Sequence, residues 1–336
     1  MEQKRYGAID GLRTLACIGI MMMHMEANNS YEISGFIYDR VIPSFTDFVF
    51  LFMTVSAFGL CCGYYEKVLK NEISPSVFYG RRFRKILPFF GVLVLMDIVL
   101  SPSRSAFYEA FADLTLLFGF LPNADKISVI GVGWFLGLVF VFYLCFPFFC
   151  TLIENKRRAW FSFVIGLGYL YACIEYFGVG RTNILYSGCF FLAGGLIYLY
   201  REEIEKWNRW IVLVVLAASI ALYYIFEGNP LTKLLISACL LIYAIICSER
   251  ENTLLKNAVT QFIGAISMEF YLSHMAIFRL VEKLGMNRMF GNGWLQYAGT
   301  VVLVFCGTIL FSVIVKTMLS FVSDVFKGQT GRHVAG

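Results

Sequence analysis

Arg13 and His24 lie inside the first long apolar stretch, GLRTLACIGIMMMHM, eleven positions apart. A charged or titratable side chain costs on the order of 2.5 to 3.5 kcal/mol at the centre of a membrane helix, so residues kept there are read first as functional. At about 100° per residue the offset amounts to three turns plus roughly 20°, and at 1.5 Å per residue it covers roughly 16 Å. Both side chains therefore share one helix face, about half a bilayer apart. A neutral imidazole in that setting suits a general base that takes a proton from a hydroxyl. Asp10, three positions before Arg13, is placed for an ion pair that lowers the cost of burying the guanidinium. Taken alone, that pair reads equally well as a structural salt bridge with Arg13 reaching for the headgroups.

A second cluster occupies GAISMEFYLSHMAI, where Ser267, Tyr271 and His274 follow at offsets of four and seven and stack on one helix face. His24 and His274 are the histidines of the apolar stretches, His333 belonging to the tail. Two imidazoles at like depth, each with polar neighbours, point to a shared site rather than to two satisfied core residues. Glu269, five positions before His274, faces elsewhere and calls for a partner on another helix. The run GRRFRKILP sets Arg81, Arg82, Arg84 and Lys85 at the mouth of an apolar stretch. Such a run anchors topology, or grips phosphates with its guanidinium forks, and composition leaves both open. Trp134, at the start of VGWFLGLVFVFYLCFP, is explained by itself as an interfacial aromatic anchor.

The elements that must hold these residues are membrane helices. Hydrophobic residues make up 59% of the 336 and charged residues 15%, with a mean hydropathy of +0.70, a balance that excludes a water-soluble domain. No polar segment is long enough for a separate soluble unit, so residues 1–336 read as a single all-α integral membrane domain. About ten spans are expected, near 10–27, 45–64, 86–101, 132–153, 159–178, 182–200, 209–226, 231–248, 261–279 and 297–321. The loops then alternate sides, and Lys4, Arg5, the cluster from Lys67 to Lys85, Lys156 to Arg158, Arg201 to Arg209, Arg250, Lys256, Lys327 and Arg332 share one of them. Arg40, Arg104, Lys126, Arg181, Lys233, Lys283 and Arg288 are left for the other. The positive-inside rule makes the richer side cytoplasmic, with both termini there, in a plasma or inner membrane. Asn123 then faces outward and Lys156 inward. The segment 103–121, SRSAFYEAFADLTLLFGFL, carries Glu109 and Asp113 and falls short of the roughly 20 apolar residues a span needs. It reads as an interfacial or re-entrant helix.

Several function classes find no support. The ten cysteines all fall in apolar stretches, where a thiol behaves as a small hydrophobe, so neither a disulfide framework nor a metal site is suggested. There is no GxGxxG, phosphate loop, HExxH or GxSxG, and the abundant Phe and Tyr suit lipid-facing helices rather than nucleic acid. The basic N-terminus before an apolar run imitates a signal peptide, but Arg13, His24 and the lack of a small-residue cleavage site make it a retained first helix.

In combination these segments resemble the acyltransferase-3 family of membrane O-acyltransferases, over nearly the whole chain. IDGLRTLA followed by His24 is similar to the family's opening Arg-to-His signature, and FLFMTVSAFGL to its second-span motif, with Ser56 kept and Ala57 where Gly is usual. RRFRKILP resembles its cytoplasmic RRxxRIxP motif, VGWFLGLVFVFYLCFP its WxL…FY…P helix, and GAISMEFYLSHM its late GxxSYxxYLxH helix. Two departures stand out. Lys85 takes the place of the motif's second Arg, and Val139 stands where some members have an acidic residue.

The resemblance implies an acyl-CoA donor, most simply acetyl-CoA, arriving from the cytoplasm, and a glycan or other hydroxyl-bearing acceptor. It implies catalysis by His24, Arg13 and His274, donor phosphates held by Arg81, Arg82, Arg84 and Lys85, and a substrate path lined by Asp10, Ser56, Trp134, Ser267 and Tyr271. The oligomeric state stays open, a homodimer included. The competing class is transport of a glycolipid or small anion. Against it stand the lack of internal repeats, of Gly/Pro-marked breaks in midplane helices and of an acidic relay.

Overall fold

The structure, a computed structural model, describes residues 4–121, 131–249, 254–291 and 293–332. Asn123, Lys126, Arg250 and His333 lie outside the described residues. Those residues form helices and connecting turns, with no strand among them. In chain order the main helices are α1 (Ala8–Ala27), α2 (Phe48–Leu69), α3 (Pro75–Leu100), α4 (Arg104–Thr115), α5 (Trp134–Ile153), α6 (Lys156–Ala172), α7 (Ile184–Leu199), α8 (Arg209–Ile225), α9 (Pro230–Cys247), α10 (Ala258–Ala265), α11 (Ser267–Lys283) and α12 (Trp294–Arg332). Short helical turns over Ile37–Val41, Ile42–Ser44 and Phe45–Asp47 lead into α2. Many helix starts carry side-chain caps. Ser74, Ser103, Asn155, Asn183, Asn208, Asn229 and Asn257 each accept a bond from a first-turn N–H with the side chain, satisfying donors that the helix itself cannot.

Among the described residues, six helical stretches are long and apolar enough to cross a membrane: Ala8–Ala27, Ile37–Leu69, Trp134–Ile153, Lys156–Phe177, Pro230–Cys247 and Trp294–Asp324. The expected spans 182–200 and 209–226 fall on α7 and α8, which are apolar but shorter. Those at 86–101 and 261–279 fall on α3 and on α10 with α11, where Arg, Lys, Glu and His interrupt the apolar character. The 12-residue α4 ends at Leu116, whose left-handed backbone (φ 57°) turns the chain. At about 1.5 Å per residue α4 is far too short for a hydrocarbon core of about 30 Å. All ten cysteines are free thiols.

The helix expected over 261–279 is not continuous. It breaks at Ile266 (φ −112°, ψ 15°) between α10 and α11, two positions after Gly264 and with no Pro in the expected span. Neighbouring helices take up the loosened carbonyls: Lys316 of α12 donates to Ala265 O at 3.0 Å, and Cys17 of α1 to Ser267 O at 3.2 Å. Side chains inserted into a helix ladder are a recognised cause of such breaks. Backbone contact between α1 and α10 fixes the arrangement. A Cβ on Gly11 would overlap the carbonyl of Leu255, in the turn that leads into α10, and one on Gly264 the carbonyl of Asp10. Thr14 reinforces the contact by donating to Thr260 O at 2.8 Å.

Candidate functional site

The close seating of α1 on α10 and α11 brings the two histidines together. Their ring centroids are 5.2 Å apart, at an interplanar angle of 35°, although 250 positions separate them in sequence. His274 is 1% exposed. Its Nδ1 lies 2.7 Å from the carbonyl of Tyr271, and its Nε2 is buried without a hydrogen-bond partner. A carbonyl only accepts, so Nδ1 carries the proton and Nε2 presents its lone pair. His24 is partly exposed and its ring makes no hydrogen bond to the described residues, so its nitrogens are open to a ligand.

Tyr271 anchors the other side of the pair. Its hydroxyl donates to Val132 O at 3.1 Å, and its ring meets Phe52, Phe135 and His274 at centroid distances of 5.9, 5.5 and 5.9 Å. Below it lies a cavity of about 190 Å³ that gathers Arg13, Ser56, Lys85, Tyr143, Ser267 and Glu269 from α1, α2, α3, α5 and α11. Arg13 donates to Asp10 Oδ1 at 3.1 Å, the ion pair expected from their spacing, and Arg5 donates to the other oxygen at 3.2 Å. The Arg13 guanidinium rests on Gly59, where an added Cβ would come within 3.2 Å of it. Glu269 finds its partner on another helix, Lys316 of α12, at 3.1 Å.

The basic run of α3 is divided among three surroundings. Lys85 lines the inner cavity. Arg82 donates to the Tyr64 hydroxyl at 2.6 Å and lies 4.8 Å from that ring and 5.9 Å from the ring of Tyr143. Arg81 and Arg84 are exposed and do not line that cavity.

A larger cavity, about 580 Å³, opens at the other end of the bundle. Its walls carry Asp39, Asp47 and Glu227 against Arg40, Arg181 and Lys233, together with Tyr186, Tyr223 and Tyr224. Lys233 pairs with Asp47 at 3.1 Å, and the Tyr223 hydroxyl donates to Asp47 at 2.7 Å. Arg181 extends from the wall of this cavity to the start of α5 and the turns before α2. It lies 5.2 Å from the ring of Trp134 and donates to Thr46 Oγ1 at 2.8 Å. Among the described residues it has no carboxylate partner. Its backbone is fixed by the buried Ser187, which donates to Arg181 O at 2.8 Å.

Reading the sequence alone missed Arg181, Asp47, Lys233 and Tyr223. One signal was available. Arg40, Arg181 and Lys233 are three of the few basic residues assigned to the poorer side, and a charge kept against the prevailing bias asks for a local reason.

A family model described as an acyltransferase domain matches residues 6–315. No curated protein matches the chain, and no solved structure does.

Proposed function

Since the chain belongs to the acyltransferase-3 family, we propose that it is an O-acetyltransferase of the cell membrane. In this reading it moves an acetyl group from cytoplasmic acetyl-CoA to a hydroxyl of a glycan or other envelope acceptor. The observation that carries the reading is the histidine pair, one ring open and one fixed, joined through the Tyr271–His274 ring contact to the wall of the inner cavity.

The donor's acetyl end enters the inner cavity past Lys85 and Arg13 and reaches the level of Tyr271. An acceptor hydroxyl comes down the outer cavity beside Arg181. His24 takes the hydroxyl proton as its oxygen attacks the thioester carbonyl; the C–S bond then breaks, and the CoA thiolate leaves with the proton returned from His24. His274 orients this exchange: with Nδ1–H fixed on Tyr271 O, its Nε2 lone pair faces the region of His24. Arg181 places a positive charge near the carbonyl oxygen that becomes negative in the transition state.

Transfer is favoured over carriage by the arrangement of the cavities. They share no lining residue, and the rings of Phe52, Phe135 and Tyr271 are packed beside the inner one. A carrier presents one binding site to each side in turn, whereas two sites meeting at a base suit group transfer. The test is acetyl-CoA binding to purified protein. Lys85→Gln is expected to weaken it about 10- to 100-fold, the worth of one charge-assisted hydrogen bond, whereas unchanged affinity would remove the inner cavity from the donor path.

A further inference from the structure

Beside the outer cavity lies another of about 440 Å³, and the two share Ser44, Asp47, Tyr223, Tyr224 and Lys233. Apart from this shared seam and Ser237, the second cavity is walled by aliphatic side chains and phenylalanines from α1, the turns before α2, α2, α8 and α9. Two of its wall residues, Leu15 of α1 and Ile220 of α8, are 39% and 41% exposed, so it opens sideways toward the bilayer. Leu15 is nine positions before His24, roughly 13.5 Å deeper along α1. The apolar cavity therefore reaches from the polar one into the membrane, below the level of the histidines.

The seam is chemically quiet. Lys233 is paired with Asp47, Tyr223 donates to Asp47, and the hydroxyls of Ser44 and Tyr224 are hydrogen-bonded to each other at 3.0 Å. Polar groups already satisfied in this way let hydrocarbon pass beside them at little desolvation cost. Above the seam, Arg181, Arg40 and Glu227 keep polar atoms available in the outer cavity. A wet compartment continuous with a dry one at membrane depth fits a molecule that is itself divided.

We propose that the acceptor is a lipid-linked sugar, whose carbohydrate occupies the polar cavity while its chain lies in the apolar groove between α1, α8 and α9. This rests on reading the outer cavity as the acceptor site.

The test uses protein in phosphatidylcholine nanodiscs and photoreactive dodecyl glycosides of glucose, galactose, mannose and N-acetylglucosamine, with a diazirine on the chain. At least one glycoside is expected to crosslink to peptides of 209–225 or 230–247. Unlabelled dodecyl glycoside should reduce the yield at least tenfold, and methyl glycoside or added phosphatidylcholine should not. Leu216→Trp, or Ser237→Leu if the first variant fails to fold, narrows the groove and should lower crosslinking about tenfold with acetyl-CoA binding unchanged. Crosslinking spread over the lipid-facing helices, equal labelling by a diazirine-tailed phosphatidylcholine, or no labelling by any of the four glycosides would overturn the proposal. Transfer from labelled acetyl-CoA separates the two readings. Equal kcat/KM for methyl and dodecyl glycosides would keep the outer cavity as acceptor site and sink the lipid-linked acceptor. Absence of acetyl-CoA binding in the wild type would sink the donor reading and leave the groove to be judged by crosslinking.

Discussion

His24 and His274 differ in what they are free to do, and the difference comes from their neighbours. His274 has its Nδ1 committed to Tyr271 O and is enclosed, whereas His24 is only partly buried and its ring makes no hydrogen bond to the described residues. Their like depth was legible in sequence, because helix rise converts position into height; their proximity was not, because it depends on the break at Ile266 and on two glycine contacts. Arg181→Gln is expected to reduce kcat for transfer about 10²-fold with acetyl-CoA affinity intact, and Arg181→Lys to recover part of the loss. Steady-state rates and donor dissociation constants check this, and a matching loss of donor affinity would assign Arg181 to binding instead. Asp113 of α4 supplies a test of stability. It is fully buried, neither carboxyl oxygen has a hydrogen-bond partner among the described residues, and burial, with Glu109 and Asp97 nearby, pushes its carboxyl up to about 8. The folded chain then holds a proton that the unfolded chain releases near pH 4, so this residue's contribution to stability falls as pH rises from about 4 to about 8. Asp113→Asn should remove that dependence and raise the melting temperature at pH 8.5 relative to wild type, with little change at pH 4; equal curves for the two proteins would contradict the assignment.

Most helices were legible from length and apolar content alone, and the Asn caps at Asn155 before α6 and Asn229 before α9 were signals left unread. The interruption between α10 and α11 was not read from sequence: Gly264 stands two positions before it, but the carbonyls on either side are bonded by side chains from α1 and α12, which only the fold brings there. The basic run of α3 shows the same limit. Arg82 is half-buried against Tyr64 and Tyr143, and Lys85, exposed like Arg81 and Arg84, is the one of these three that borders the inner cavity. Sequence supplied the charges, but only packing assigned each its surroundings. The α1–α10 contact is the element on which the site rests. Gly11→Val places a side chain on the Leu255 carbonyl, and forcing atoms into a packed contact costs about 1 to 3 kcal/mol or more. A lower melting temperature and loss of transfer are expected, read by thermal unfolding in detergent; wild-type stability would mean that the backbones can separate without cost to the site.

Charge distribution organises the whole molecule as it organises the sequence, with the basic run of α3 at one end and the outer cavity at the other. The proposed topology sets the α5–α6 turn inside and the α8–α9 turn outside. Single cysteines at Lys156 and Glu227 in a cysteine-free background should therefore label from opposite faces of sealed vesicles, and same-face labelling would reverse one end of the bundle. The chain's central claim joins the two ends: acetyl supplied on the cytoplasmic face is delivered through His24 to an acceptor approached from the other. Transfer from labelled acetyl-CoA to an envelope glycan extract, measured in sealed proteoliposomes for wild type and His24→Ala, tests it most directly. The account predicts wild-type transfer only when donor is on the cytoplasmic face, and a loss of about 10² to 10⁴ in the variant with folding and donor binding retained. Wild-type turnover by well-folded His24→Ala protein would contradict it and return the histidine to a structural role.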